Sequence, residues 1–188
     1  MFRRVVIAAV AVMAAGAMMT AQEKRPASPR GTAETQIGQN WIEISYGRPI
    51  RRGRADLFAT PDKLNAGAPV WRAGADAATR LKTPVALNIG GKTVPAGEYS
   101  LYIDLKDWTL IVSGWPAQTK YEKGNTAALW GAYGYTPDKD VARVKMTAAK
   151  LPFSVDELTW SFVDVDAKGG KLAIMWFDTV ATAPFTVQ

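Results

Sequence analysis

The sequence predicts an all-β fold, a single antiparallel β-sandwich of jelly-roll or immunoglobulin type with about eight strands. Three observations carry that expectation. Short runs alternate apolar and polar residues with a period of two. The chain holds 16 glycines and 11 prolines, enough to end a strand roughly every ten residues. Nothing after the N-terminal leader repeats with the helical period, apart from one turn near "TPDKLNAG".

The chain opens with Arg3 and Arg4, an apolar run from Val5 to Met19, small residues, and a polar shift at Gln22. That order is the pattern of a secretory signal peptide, with cleavage expected after Ala21 and Ala15-Gly16-Ala17 as an earlier alternative. The run is too short and too rich in Ala and Gly for a comfortable bilayer span. The mature chain is therefore expected to be exported, to the periplasm or the medium, without a membrane span; an uncleaved anchor is the alternative. Residues 22–35, with Pro26 and Pro29 among polar side chains, read as a flexible lead-in. The sandwich domain is expected over 36–188, ordered from about Ile37.

Each later element has its own signature. "WIEISY" puts Ile42, Ile44 and Tyr46 on one face. "VALNIGGKTV" splits at Gly90-Gly91, a pair that allows the positive φ of a two-residue hairpin. "EYSLYIDL" sets Tyr99, Leu101, Ile103 and Leu105 inward and Glu98, Ser100, Tyr102 and Asp104 outward. Lys106-Asp107 then turns the chain into "WTLIVSGW". "DVARVKM", "SVDELTWSFVDV" and "KLAIMWFD" follow, the last two joined through "DAKGG" as a hairpin whose inward residues include Leu158, Trp160, Phe162, Leu172, Ile174 and Trp176. The closing "APFTVQ" reads as a short edge strand begun by Pro184.

The residue inventory restricts the chemistry. With no histidine and no cysteine, the chain has no Ser-His-Asp or Cys-His nucleophile system, no His-bearing zinc or iron site, no disulfide and no lipid-modified N-terminal cysteine. No cofactor motif and no G-x-S-x-G, G-x-G-x-x-G or P-loop occurs, so neither a cofactor nor a metal is expected. "DVDAKGG" matches a calcium loop at Asp164, Asp166 and Gly169 but has Lys168 and Met175 where the loop needs acids, so a hairpin turn is the expectation. The net charge of +6 gathers in "GRPIRRGR", where Arg48, Arg51, Arg52 and Arg54 point to a local anion site. Nucleic acid is not expected without a longer basic stripe. Trp160 and Trp176 lie on strand patterns and read as core, whereas Trp108, Trp115, Trp130, Tyr133 and Tyr135 fall at strand ends or in Gly-rich connections, where they would either stack on a sugar or peptide or pin the loop.

"SYGRPIRRGR", "VWRAGADAAT", "KTVPAGEYSLY", "LWGAYGYTPDKDVARVKM" and "LAIMWFDTVATAPFTV" together resemble the successive motifs of a bacterial exported family, domain of unknown function 2911, over about residues 36–187. The resemblance implies signature residues at Arg48, Pro49, Gly53, Arg54, Trp71, Arg72, Gly74, Asp76, Thr79, Trp130, Gly131 and Arg143. The family pattern usually has Asn where this chain has Asp76.

Two readings of these residues stand side by side. In one, Trp71 fills the core while Arg72 bonds carbonyls or Asp76 and clamps an irregular connection. In the other, Arg48, Arg54 and Arg72 converge on a carboxylate, sulfate or phosphate. The sequence therefore points to a non-catalytic, exported, envelope-associated or ligand-binding module for an anionic or sugar-like molecule, with candidate contacts at Arg48, Arg54, Trp71, Arg72, Asp76, Thr79, Trp130 and Arg143. The alternative is a hydrolase built on a carboxylate pair that includes Asp76.

Overall fold

The computed structural model describes residues 26–188, so the expected signal peptide at 1–21 lies outside the described residues. In chain order the elements are β1 (Arg30–Ile37), β2 (Asn40–Gly47), a 3-10 turn (Leu57–Ala59), α1 (Pro61–Asn65), β3 (Thr79–Thr83), β4 (Leu87–Ile89) and β5 (Lys92–Val94). Then come β6 (Gly97–Asp104), β7 (Thr109–Ser113), a 3-10 turn (Pro137–Lys139), β8 (Asp140–Lys145), β9 (Thr147–Val163) and β10 (Gly169–Val187). The ten strands form two antiparallel sheets, one of six strands in the order β1-β2-β3-β6-β7-β8 and one of four in the order β5-β4-β10-β9. The architecture is sandwich-like, and no described helix is long and apolar enough to cross a membrane.

The alternation in the sequence sets what lies between the sheets. Ile42, Ile44 and Tyr46 of β2 and Leu101 and Ile103 of β6 meet Leu158 and Trp160 of β9 and Leu172, Ile174 and Trp176 of β10 in one core. Each such side chain, taken fully out of water, contributes about 1.5 to 3 kcal/mol. The hairpin register agrees, with Leu172 opposite Phe162 and Ile174 opposite Trp160. Farther along β10 the ladder is irregular on both sides of Phe177, whose φ is +53°. The irregularity lets the consecutive Trp176 and Phe177 both turn inward, which a regular pleat forbids. At the β4–β5 turn Gly90 and Gly91 take φ +54° and +87°, the left-handed pair that a two-residue hairpin requires.

Three expectations change. First, order begins earlier than Ile37: β1 starts at Arg30 and pairs with β2 from Arg30↔Gly47 to Ile37↔Asn40. Gly31, Ala33, Thr35 and Ile37 alternate toward the interior, but the first three are too small or polar to register as an apolar face. Second, "APFTVQ" is no separate edge strand. It continues β10, and Phe185 pairs with Ile89 of β4 inside the sheet. Pro184 is tolerated because it falls after the last β9 partner, Thr182, and before the first β4 partner, Phe185.

Third, the outward face of β6 is not open to water. Ser100 and Tyr102 are buried, and Tyr102 packs with Ile111, Leu129, Ala132, Tyr135 and Val70 in a second cluster. The cover is the long connection between β7 and β8, which folds back over the six-stranded sheet. "DAKGG" is the expected turn: Asp166 Oδ1 accepts from the Lys168 and Gly169 amides at 2.7 and 3.0 Å. Those bonds hold the Asp166 carboxyl below its usual range. Among the described residues no group of acids is placed to hold a metal.

Candidate functional site

The arginine-rich stretch leaves β2 and runs beside β9. Leu158 N donates to Pro49 O at 3.0 Å and Arg51 N to Asp156 O at 2.7 Å, which ties this connection to the second sheet. Arg52 and Gly53, at φ +49° and +72°, turn it sharply. Asp56 caps the 3-10 turn by accepting from Phe58 N at 2.9 Å, and Pro61 starts α1 where its missing N–H costs nothing. Left-handed Ala66 ends α1 and sends the chain into 67–78.

That second connection is pinned at its centre. Trp71 exchanges two backbone bonds with Ile103, of 2.9 and 2.8 Å. Its ring is 1% exposed, and its indole Nε1 donates to Gly74 O at 3.2 Å. The Ala73 carbonyl accepts twice, from Thr79 Oγ1 at 3.0 Å and from Trp160 Nε1 at 2.9 Å. An irregular backbone is thus held by buried donors from two directions, which keeps Arg72 and Asp76 at fixed positions on its outer side.

Between the two connections lies a cavity of about 520 Å³ whose walls include Arg52, Arg54, Lys63, Arg72, Trp71 and Asp76. Leu57 and Leu64 add apolar surface over the buried Trp176, and Ala27 and Ser28 from the segment before β1 complete one side. None of the four cationic residues joins an ion pair among the described residues. Arg72 spends Nη1 on the Asp76 carbonyl at 3.0 Å, and its guanidinium lies 5.2 Å from the centre of the Tyr133 ring. Arg54 bonds the carbonyls of Arg51 and Ile50 at 3.1 and 2.6 Å and rests over Trp176 at 5.7 Å. Both arginines therefore clamp loops while keeping further N–H donors, the planar fork that matches a carboxylate or phosphate.

Among the described residues Asp76 is the only acid in the cavity wall. It is exposed and takes φ +60°. Partial loss of solvation and the nearby Arg80 hold the Arg30 guanidinium below its ordinary value, and the Asp76 carboxylate acts in the opposite direction. The carboxylate thus acts on Arg30, while Arg72 is anchored by the same residue's backbone.

Of the eight sequence candidates, Arg54, Trp71, Arg72 and Asp76 share this cavity and the other four do not. Arg48 lies across Gly31 of β1 and ion-pairs with Glu157 of β9, joining the two sheets. Thr79 is fully buried under Ala73. Arg143 bonds Asp140 and the Tyr135 hydroxyl at 3.0 and 3.1 Å, bracing the end of the β7–β8 connection. Trp130 belongs to another cavity, which Arg72 borders through Tyr133 and through Gly131, where an added Cβ would stand 2.9 Å from the guanidinium carbon. Arg52 and Lys63 were not among the candidates. Arg52 was visible in the arginine cluster, whereas Lys63 carries no sequence signal, since only the fold of α1 brings it to the wall.

The fold and the cleft define a two-sheet β-sandwich with a cationic cavity built from the connections around its short helix. The chain belongs to the family described as Protein of unknown function (DUF2911), whose model matches residues 28–185, from just before β1 nearly to the end of β10. No curated protein and no solved structure matches the chain.

Proposed function

We propose that this protein is an exported, non-catalytic binding module that takes a small organic anion in the cavity between the arginine-rich connection and the Trp71 connection. One observation carries the reading: Arg52, Arg54, Lys63 and Arg72 line one space and share it with a single carboxylate. Like charges brought together without acidic partners repel, and a bound anion removes that cost. Leu57 and Leu64 supply an apolar floor, so the ligand carries an apolar body beside its carboxylate or phosphate. Arg3, Arg4 and the apolar run behind them support export. A carboxylate-pair hydrolase needs a second acid beside Asp76, and the cavity wall offers none.

A thermal-shift screen of the mature chain against organic phosphates, carboxylates and neutral glycans tests this. An anion at a hundredfold excess over its Kd stabilises the fold by about 2.7 kcal/mol, a rise of roughly 5 to 10 °C for a chain of this size. The shift is expected to shrink in Arg52→Ala and in Lys63→Ala, to about half for a tenfold loss of affinity, and both side chains are exposed, so the variants' own melting should stay at the wild-type value. Shifts from neutral glycans alone would contradict the assignment.

A further inference from the structure

A second cavity, also of about 520 Å³, lies within the β7–β8 connection and takes its walls from Trp115, Tyr121, Trp130 and Tyr133. Tyr121 is 60% and Tyr133 47% exposed. Tyr121, Trp130 and Tyr133 lie outside the cluster that fastens the connection to the sheet, which is made by buried Leu129, Ala132 and Tyr135 with Trp115 packed against them. The connection is also braced from within. Gln118 Nε2 donates to the Ala128 carbonyl at 2.8 Å and Oε1 accepts from Glu122 N at 2.9 Å, while Asn125 Oδ1 accepts from the Ala127 and Ala128 amides at 2.9 and 3.2 Å. A surface cavity that is aromatic, rigid and preformed has the properties of a ligand site.

The geometry limits the ligand. Tyr121 and Trp130 stand 6.1 Å apart at 67°, forming a corner. A sugar ring stacks best on a flat platform and needs convergent polar groups, but the amides of Gln118 and Asn125 are already committed inside the loop. A corner of rings instead suits a rounded group with positive charge, which the negative ring faces attract. Two of the wall rings are already taken by cations of the protein, Lys139 Nζ 3.6 Å from the Trp115 ring centre and the Arg72 guanidinium over Tyr133, which leaves the Tyr121–Trp130 corner as the aromatic surface open to a cation from outside. Among the described residues the one charged side chain in the wall is acidic. Glu122 accepts from Asn125 Nδ2 at 2.7 Å through Oε2 and forms no ion pair among the described residues. Its sequence neighbours Lys120 and Lys123 are exposed and lie outside the wall.

We infer that this cavity binds an organic cation of the quaternary ammonium type, with the methyl-covered charge set in the Tyr121–Trp130 corner and balanced by Glu122. The assignment is independent of the anion cavity. It is tested by calorimetric titration of the mature chain with choline chloride and with its neutral isostere, 3,3-dimethylbutan-1-ol. Choline should bind saturably and about tenfold more tightly than the isostere, the factor expected of partly desolvated cation–π contacts. Tyr121→Ala should weaken choline about tenfold, Tyr121→Phe should restore it, and Glu122→Gln should cost about threefold, with circular dichroism unchanged because both side chains are exposed. Arg52→Ala should leave choline binding intact, which separates this site from the anion cavity. Retention on phosphatidylcholine vesicles but not on phosphatidylglycerol vesicles would assign the cation to a lipid headgroup, and binding of choline alone would assign it to a free solute. Equal binding of the isostere, wild-type affinity in Tyr121→Ala, or saturable binding of cellobiose without choline would overturn the inference.

Discussion

Asp76 shows at the scale of one residue how a backbone constraint and a charge share a position. Its φ of +60° lies in the left-handed region, where Asn and Asp are the side chains tolerated best after glycine and a β-branched residue is strained by about 1 to 2 kcal/mol. Asp76→Asn is therefore expected to leave urea stability within about 0.5 kcal/mol of wild type, and Asp76→Val to lower it by about 1 to 2 kcal/mol. Because Asp76 is the only acid in the cationic cavity, the Asn variant should also bind an organic anion several-fold more tightly. Loss of anion binding in that variant would show that the carboxylate itself holds the ligand.

At the scale of an element, the β7–β8 connection and β6 form one buried unit whose tyrosines respond to alkali. Burial, and then the nearby Asp140 charge, push the Tyr102 hydroxyl, which has no hydrogen-bond partner among the described residues, up to about 12. Burial, and then the hydrogen bond to Asp140, push Tyr135 up as well. Both folded values stand above the unfolded one near 10, so the neutral hydroxyls contribute stability that is complete below about pH 10. It is lost as pH rises from there toward 12. For Tyr102 the loss amounts to about 3 kcal/mol. Denaturant melts across this range should show the decline, and Tyr102→Phe should flatten it; an unchanged slope would contradict the burial account. The inward set of β6 was legible from alternation alone, because Leu101, Ile103 and Leu105 face a core that the neighbouring strands also build. The burial of Ser100 and Tyr102 was not, since the connection that covers them has neither period and meets β6 only through the tertiary fold.

For the whole molecule, the sandwich followed from periodicity, turn residues and the missing helical signal, and the two sheets bear that out. Strand count and ends were harder to read, because backbone pairing extends β1 and β10 through residues such as Gly31 and Pro184 that are depleted in strands. The candidate site divided for a comparable reason. Arg72 and Asp76 are close in sequence and share one turn, so their proximity was readable. Arg48 and Arg54 are also near in sequence, yet the chain bends between them: Arg48 turns to Glu157 and Arg54 turns to the cavity. Salt should separate the two arginines' roles, because the Debye length falls from about 10 Å at 0.1 M to about 3 Å at 1 M and screens an exposed anion site strongly.

The central claim is that the cavity of Arg52, Arg54, Lys63 and Arg72 is an anion site, and the most direct measurement is a calorimetric titration of phenyl phosphate into the mature wild type and the Arg52→Ala/Lys63→Ala double variant. The account predicts saturable binding to wild type that weakens with added salt, and affinity at least about tenfold lower in the double variant at an unchanged melting temperature. Equal affinity in the two proteins, or binding indifferent to salt, would contradict it.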